Sequence, residues 1–214
     1  MTIKKYSFFT ILTYGFILIS PILLQPLLGN DPQQVIQVST YSFIVGAAVL
    51  AVYHWKSRSL SIEHVQRGVL PSALFGVAGI PMSMVLQLLL LQIEQRISNQ
   101  PLVSENTQNI VQLILENSIF IIATTIAGPI MEEFVFRRAI FGALRERFGF
   151  IVPALISSIL FAFAHQDGHY LLYGGLGFFF CGLYVLTGRI WTSMIAHVGM
   201  NLVVILAQLA VHQM

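Results

Sequence analysis

Eight polar or ionisable side chains stand inside otherwise apolar stretches: Glu116, Glu132, Glu133, Arg137, Arg138, His165, His197 and Asn201. Such groups are costly in an apolar segment, so each is a functional candidate by default. Glu133 and Arg137 are four residues apart with the glutamate first, the favourable order for an intrahelical ion pair. Glu132 lies about 100° further round a helix. Val135 and Phe136 stand at its i+3 and i+4 positions, so its own helix offers it no cation. It must meet a partner on another helix or take up a proton. His197 and Asn201 share one helical face, and Phe161 and His165 repeat that spacing on another segment. A desolvated carboxylate facing histidines and an amide is suited to proton transfer. Other chemistries lack their residues. The only aspartates, Asp31 and Asp167, lie at span ends or in loops, and neither Gly-x-Ser-x-Gly nor His-Glu-x-x-His occurs. Those absences argue against an aspartyl, a rhomboid-like serine and a zincin-type site.

The elements that must carry these groups are membrane helices. Of 214 residues, 56% are hydrophobic and 9% charged, and the mean hydropathy is +0.79. A soluble domain carries about 25% charged residues, so an ordinary soluble enzyme is excluded, as is a disordered chain. The net charge of +2 is too small for a basic patch and argues against nucleic acid as a partner. The single cysteine, Cys181, reads as an apolar packing residue. Apolar runs predict spans over about 8–28, 38–55 and 69–93, then one segment from about 110 that stays helical to about 148. Further spans follow over about 151–165, 170–187 and 190–211. The expectation is an all-α polytopic membrane bundle of seven or eight transmembrane helices, the count depending on a break at Gly128-Pro129. Residues 1–214 form a single integral membrane domain in this reading.

Lys4, Lys5, Lys56, Arg58, Arg67, Arg145, Arg147 and Arg189 fall at alternate span ends. The positive-inside rule then predicts a multi-pass cell-membrane protein with a cytoplasmic N-terminus and the 94–105 loop outside. The spacing also brings the candidates together. Glu132 lies 17 positions before Gly149 and His165 lies 16 after it. A hairpin turning at Gly149-Phe150 places both roughly 25 Å from the turn. His197 is roughly 12 Å into the last span from the same side. Away from this convergence, Glu116 reads as packing or interfacial polarity, His54, His64 and His212 as solvated span ends, and His169 as an interfacial turn residue.

These motifs resemble a known family. The run Gly128-Pro129-Ile130-Met131-Glu132-Glu133-Phe134-Val135-Phe136-Arg137 is similar to the Glu-Glu-x-x-x-Arg motif of the CAAX-protease and bacteriocin-processing (CPBP, or Abi) intramembrane endopeptidases. Phe161 to His165 resembles the Phe-x-x-x-His motif of that family, and His197 to Asn201 its His-x-x-x-Asn/Asp motif. The resemblance covers about residues 123–208. Arg138 departs from it, standing where the family often has glycine, which bears on helix packing.

The resemblance implies a catalytic set of Glu132, His165, His197 and Asn201, supported by Glu133 and Arg137. Glu132 would activate water, His165 would help bind it, and His197 and Asn201 would stabilise the oxyanion. The implied substrate is a peptide or a lipid-anchored protein, met among membrane lipids. A non-proteolytic immunity or scaffold protein of the same fold is the competing class. The family implies either a zinc held by Glu132, His165 and His197 or metal-free catalysis. Asn201 is a poor zinc ligand, and the sequence displays no carboxylate to support the histidines, which tilts the expectation to metal-free.

Overall fold

The computed structural model describes residues 1–28, 31–64 and 66–212, and every regular element in them is helical. In chain order these are α1 (Ile3–Leu28), α2 (Pro32–Lys56), the short α3 (Ser61–His64), α4 (Val69–Ser98) and α5 (Glu105–Glu116). There follow α6 (residues 120–148), α7 (Ile151–His165), α8 (Tyr170–Thr187) and α9 (Ile190–His212). Five of them, α1, α2, α4, α8 and α9, are long and apolar enough to cross a membrane. α7 is a shorter apolar helix. The chain is a polytopic helical membrane protein. Large side chains such as Phe8, Phe16, Leu70, Leu74 and Val85 point outward from it, as expected where lipid replaces water.

α8 is the central helix. Half of its most apolar window is buried, against 17–22% for the other four spans. It packs against α4, α7 and α9, while α1 pairs with α2 and with the middle of α6. Close approach of α4 and α9 rests on small residues, the usual device where lipid removes the hydrophobic drive between helices. A methyl group on Gly79 would stand 2.8 Å from the Ala196 methyl, and one on Gly199 would collide with Ile80. Gly199 lies between His197 and Asn201, so the glycine inside that motif is where α9 seats on α4.

The single segment expected from about 110 to 148 is two helices. α5 ends at Glu116, and Asn117 adopts an extended backbone. The Asn117 side chain accepts the Ile119 N–H and donates to Gln33 on α2. Asparagine competes with the helix ladder in this way. The break expected at Gly128-Pro129 is instead a wide turn inside a continuous α6. Over Ala123–Ala127 the backbone takes the π form, and the Gly128 N–H reaches back to Ala123. A regular helix would drive the Pro129 ring into the carbonyl of Thr125; the wider turn accommodates it.

A second π stretch, Glu133–Gly142, follows the paired glutamates. Its carbonyls find partners outside the helix. Ser157 Oγ donates to the Phe136 carbonyl at 2.6 Å, Ser7 Oγ to that of Ala139 at 2.8 Å, and Tyr6 to that of Phe134 at 3.4 Å. α1 and α7 therefore clamp the part of α6 that carries the motif.

The basic loops meet at one end. Arg67 and Arg189 bond the carbonyls of Leu186 and Arg67, Ser61 N–H reaches Glu146, and the N-terminal amine bonds the Lys56 carbonyl. Arg138 is buried there rather than disturbing packing. Its Nε and Nη2 donate to the two oxygens of Glu63 at 2.7 and 3.0 Å, and Nη1 donates to Ser57 at 2.7 Å. Burial alone would raise the Glu63 carboxyl, but the Arg138 hydrogen bonds and charge outweigh it and hold the carboxyl below its ordinary value.

Candidate active site

α6, α7 and α9 bring three of the motifs to one place. His197 stands between the adjacent glutamates. Its Nδ1 lies 2.9 Å from Glu133 Oε1 and its Nε2 lies 3.6 Å from Glu132 Oε2. Glu133 is fully buried, whereas the Glu132 side chain keeps 20% of its surface accessible. The two neighbours thus differ as their spacing suggests: one locked inside, one facing open space.

Glu133 Oε1 also lies 3.2 Å from Arg137 Nη2, and both side chains are fully buried. That contact is close but poorly aligned. Among the described residues Arg137 makes no well-directed hydrogen bond. Aromatic faces surround its guanidinium instead, with Phe161 at 4.3 Å and Phe180 at 5.4 Å from ring centre to charge. A desolvated cation gains most from such faces. The Phe161 ring also meets His165 and His197 edge-on, at 4.6 and 5.8 Å between centroids. The phenylalanine of the second motif therefore holds the arginine of the first and both histidines.

His165 Nδ1 lies 2.8 Å from the Phe161 carbonyl. A carbonyl accepts, so Nδ1 carries the proton and Nε2 of the neutral ring keeps a lone pair. The other face of His165 stacks on Tyr173 at 3.6 Å and 20°. The Tyr173 hydroxyl donates to Asp167 at 2.8 Å and lies 3.2 Å from the Ser104 hydroxyl. Ser104 in turn caps α5 by accepting the Thr107 N–H. His197 stacks on Phe180 at 4.7 Å and 20°.

Two clefts meet at these groups. One, a cavity of about 90 Å³, is lined by His165, His197 and Asn201 and runs between α4, α5, α8 and α9. The other, of about 320 Å³, is lined by Glu132, His165 and Asn201 and opens past Tyr14, Leu18 and Phe43. Asn106, Ile110, Thr124, His165 and Asn201 line both. Glu132 and His165 therefore face a shared space across the hairpin, which turns at Gly149 with φ +70°.

Three expectations change. His169 is buried, with Nδ1 2.9 Å from Glu94 Oε2, and is no interfacial residue. Glu94 lies inside α4, buried, and accepts the Leu171 and Leu172 N–H groups at the start of α8. The polar connection beyond it shrinks to residues 99–104. His54 is half-buried against Phe134, with Nδ1 enclosed, whereas His64, His212 and Glu116 are exposed. Tyr173, Asn106 and Thr124 went unread in the sequence. Gln208, which lines the first cleft, was legible: it lies seven residues beyond Asn201, on the same helical face.

The donor set bears on metal. No three His, Cys, Asp or Glu side chains among the described residues are arranged to share one ion. Glu132, His165 and His197 thus do not make a ligand triad as they stand. Glu133 does, however, provide the supporting carboxylate on His197 Nδ1 that the sequence did not display.

Comparisons with known proteins identify the family. Residues 114–203 match the model of the type II CAAX prenyl endopeptidase Rce1-like family. The chain is 35% identical to YdiL of Bacillus subtilis (strain 168), provisionally named a membrane peptidase, over 96% of this chain and 90% of that protein. It is 30% identical to the membrane-embedded CAAX protease MroQ of Staphylococcus aureus (strain USA300), over 82% of this chain and 74% of that one. No solved structure gives a significant match. On a motif-bearing core that matches the family model and relatives aligned along most of their length, the chain belongs to the Rce1-like CAAX endopeptidase family and is a membrane peptidase.

Proposed function

We propose that this peptidase hydrolyses its substrate inside the membrane with water activated by Glu132, without a metal ion. The observation that carries the reading is the placement of His197 Nε2 3.6 Å from Glu132, at the junction of two clefts, with Nδ1 on buried Glu133. His165 Nε2, left with its lone pair, accepts one O–H of the attacking water. Glu132 removes the other proton, and the hydroxide adds to the scissile carbonyl carbon. The oxyanion accepts from Asn201 Nδ2 and from His197 Nε2–H. Collapse of the intermediate breaks the C–N bond, and Glu132 returns its proton to the leaving amine.

The substrate is a membrane-associated peptide or a lipid-anchored protein, in keeping with the CAAX protease name of the staphylococcal relative. The basic end of the bundle faces the cytoplasm, following the positive-inside rule. The test of the metal-free chemistry is turnover by purified protein after exhaustive treatment with phenanthroline and EDTA. Full activity with substoichiometric zinc by elemental analysis is expected. Loss of activity restored by stoichiometric zinc, with binding abolished in His165→Ala and His197→Ala, would transfer the chemistry to a metal.

A further inference from the structure

The two clefts share five lining residues and lie side by side at the site. Among the described residues that line them, Glu132 is the only carboxylate, and no lysine or arginine is present. The rest are apolar, hydroxyl, imidazole or amide groups. Arg137 is not available from the groove, being fully buried behind Phe161 and against Glu133. A substrate carboxylate drawn into this space would lose its hydration with no lysine or arginine opposite, and a substrate cation would meet only the carboxylate assigned as the base.

The amides fit a different guest. Gln87 and Gln208 line the first cleft, Asn109 the second, and Asn106 both. Each carries a donor and an acceptor, matching the unpaired N–H and C=O groups of an extended peptide. Inside a membrane those main-chain groups must find partners in the protein. Tyr14, Leu18 and Phe43 on one arm and Leu91, Met200 and Val204 on the other suit apolar side chains.

We propose that the two clefts form one groove for an uncharged internal stretch of extended peptide, running past the cleaved bond on both sides without recognition of a free C-terminal carboxylate. The proposal rests on the hydrolytic reading above. It differs from release of a C-terminal tripeptide, in which the carboxylate itself would lie in the groove.

The experiment uses the full-length protein in liposomes and a library of internally quenched, uncharged apolar peptides, each made with a C-terminal amide or a free carboxylate. Fragments are identified by mass spectrometry. The expected result is internal cleavage with kcat/KM for amide and acid forms within about threefold. A lysine or aspartate placed beside the cleaved bond lowers kcat/KM by at least about tenfold. Gln208→Arg, which puts a cation at one arm, raises the acid-to-amide ratio by about tenfold. A wild-type preference for the acid form of about tenfold or more, with cuts at a fixed distance from the C-terminus and none in Glu132→Gln, overturns the groove proposal and leaves the catalytic reading standing. An unchanged ratio in Gln208→Arg removes that arm from the binding groove. Cleavage that persists in Glu132→Gln overturns both.

Discussion

Glu132 and Glu133 are adjacent in sequence and unlike in surroundings. Glu133 contacts Arg137 and His197 with a single oxygen and is sealed from solvent. Glu133→Gln removes the counter-charge of a buried guanidinium, a loss of about 3–5 kcal/mol when one partner of a buried pair is deleted. It also takes the acceptor from His197 Nδ1. The expected outcome is a lowered melting temperature in detergent together with lowered turnover; a variant of unchanged stability and activity would mean that Arg137 is held by its aromatic faces alone. The catalytic candidates were legible in the sequence because charge and imidazole inside apolar runs stand out. The tie between Glu133 and His197 was not, since it joins helices 64 residues apart and no local spacing encodes it. Glu94 was missed for a related reason: hydropathy falls at Ile93, but α4 continues to Ser98, and the partner of Glu94 lies on the turn before α8.

At the scale of elements, α6 carries the proposed base and its two ends are secured differently. The wide turns at Ala123–Ala127 and Glu133–Gly142 were invisible to a pattern search, because the hydrogen-bond register leaves no trace in composition. π turns of this kind recur at functional sites. Toward the basic end, Arg138 ties α6 to α3 through Glu63, which also accepts from Tyr184 on α8 at 2.8 Å. Glu63→Gln loses charge-assisted hydrogen bonds worth about 1.5–3 kcal/mol. The sign with pH follows from the lowered Glu63 carboxyl. Its contribution is complete above the ordinary value of 4.5 and fades as pH falls through the lower folded value. Melting curves should therefore separate wild type from Glu63→Gln at neutral pH and draw together on acidification. A gap that is constant with pH would assign the effect to packing instead.

Over the whole molecule, helical character and most span positions follow from long apolar runs, and the span ends differ by only a few residues from those runs. The number of elements was harder to read. A short amphipathic α5 and a continuous α6 look alike to hydropathy when only Asn117 and two neighbours separate them. The clustering of the N-terminus, the α2–α4 loop and the α6–α7 turn at one end gives the orientation a concrete test. Cys181 is the only cysteine and is buried, so Cys181→Ala provides a background for single-cysteine labelling. Arg58→Cys should react with an impermeant maleimide only when the cytoplasmic face is exposed. Labelling of intact cells at that position would invert the bundle.

The central claim is that Glu132 is the base, and turnover of Glu132→Gln measures it most directly. The amide keeps the shape and hydrogen bonding of the side chain but cannot take a proton from water. In liposomes the variant should melt with wild type while its cleavage rate falls by about 10²–10⁴-fold, the usual worth of a positioned acid–base group. A well-folded Glu132→Gln that cleaves at the wild-type rate would contradict the account.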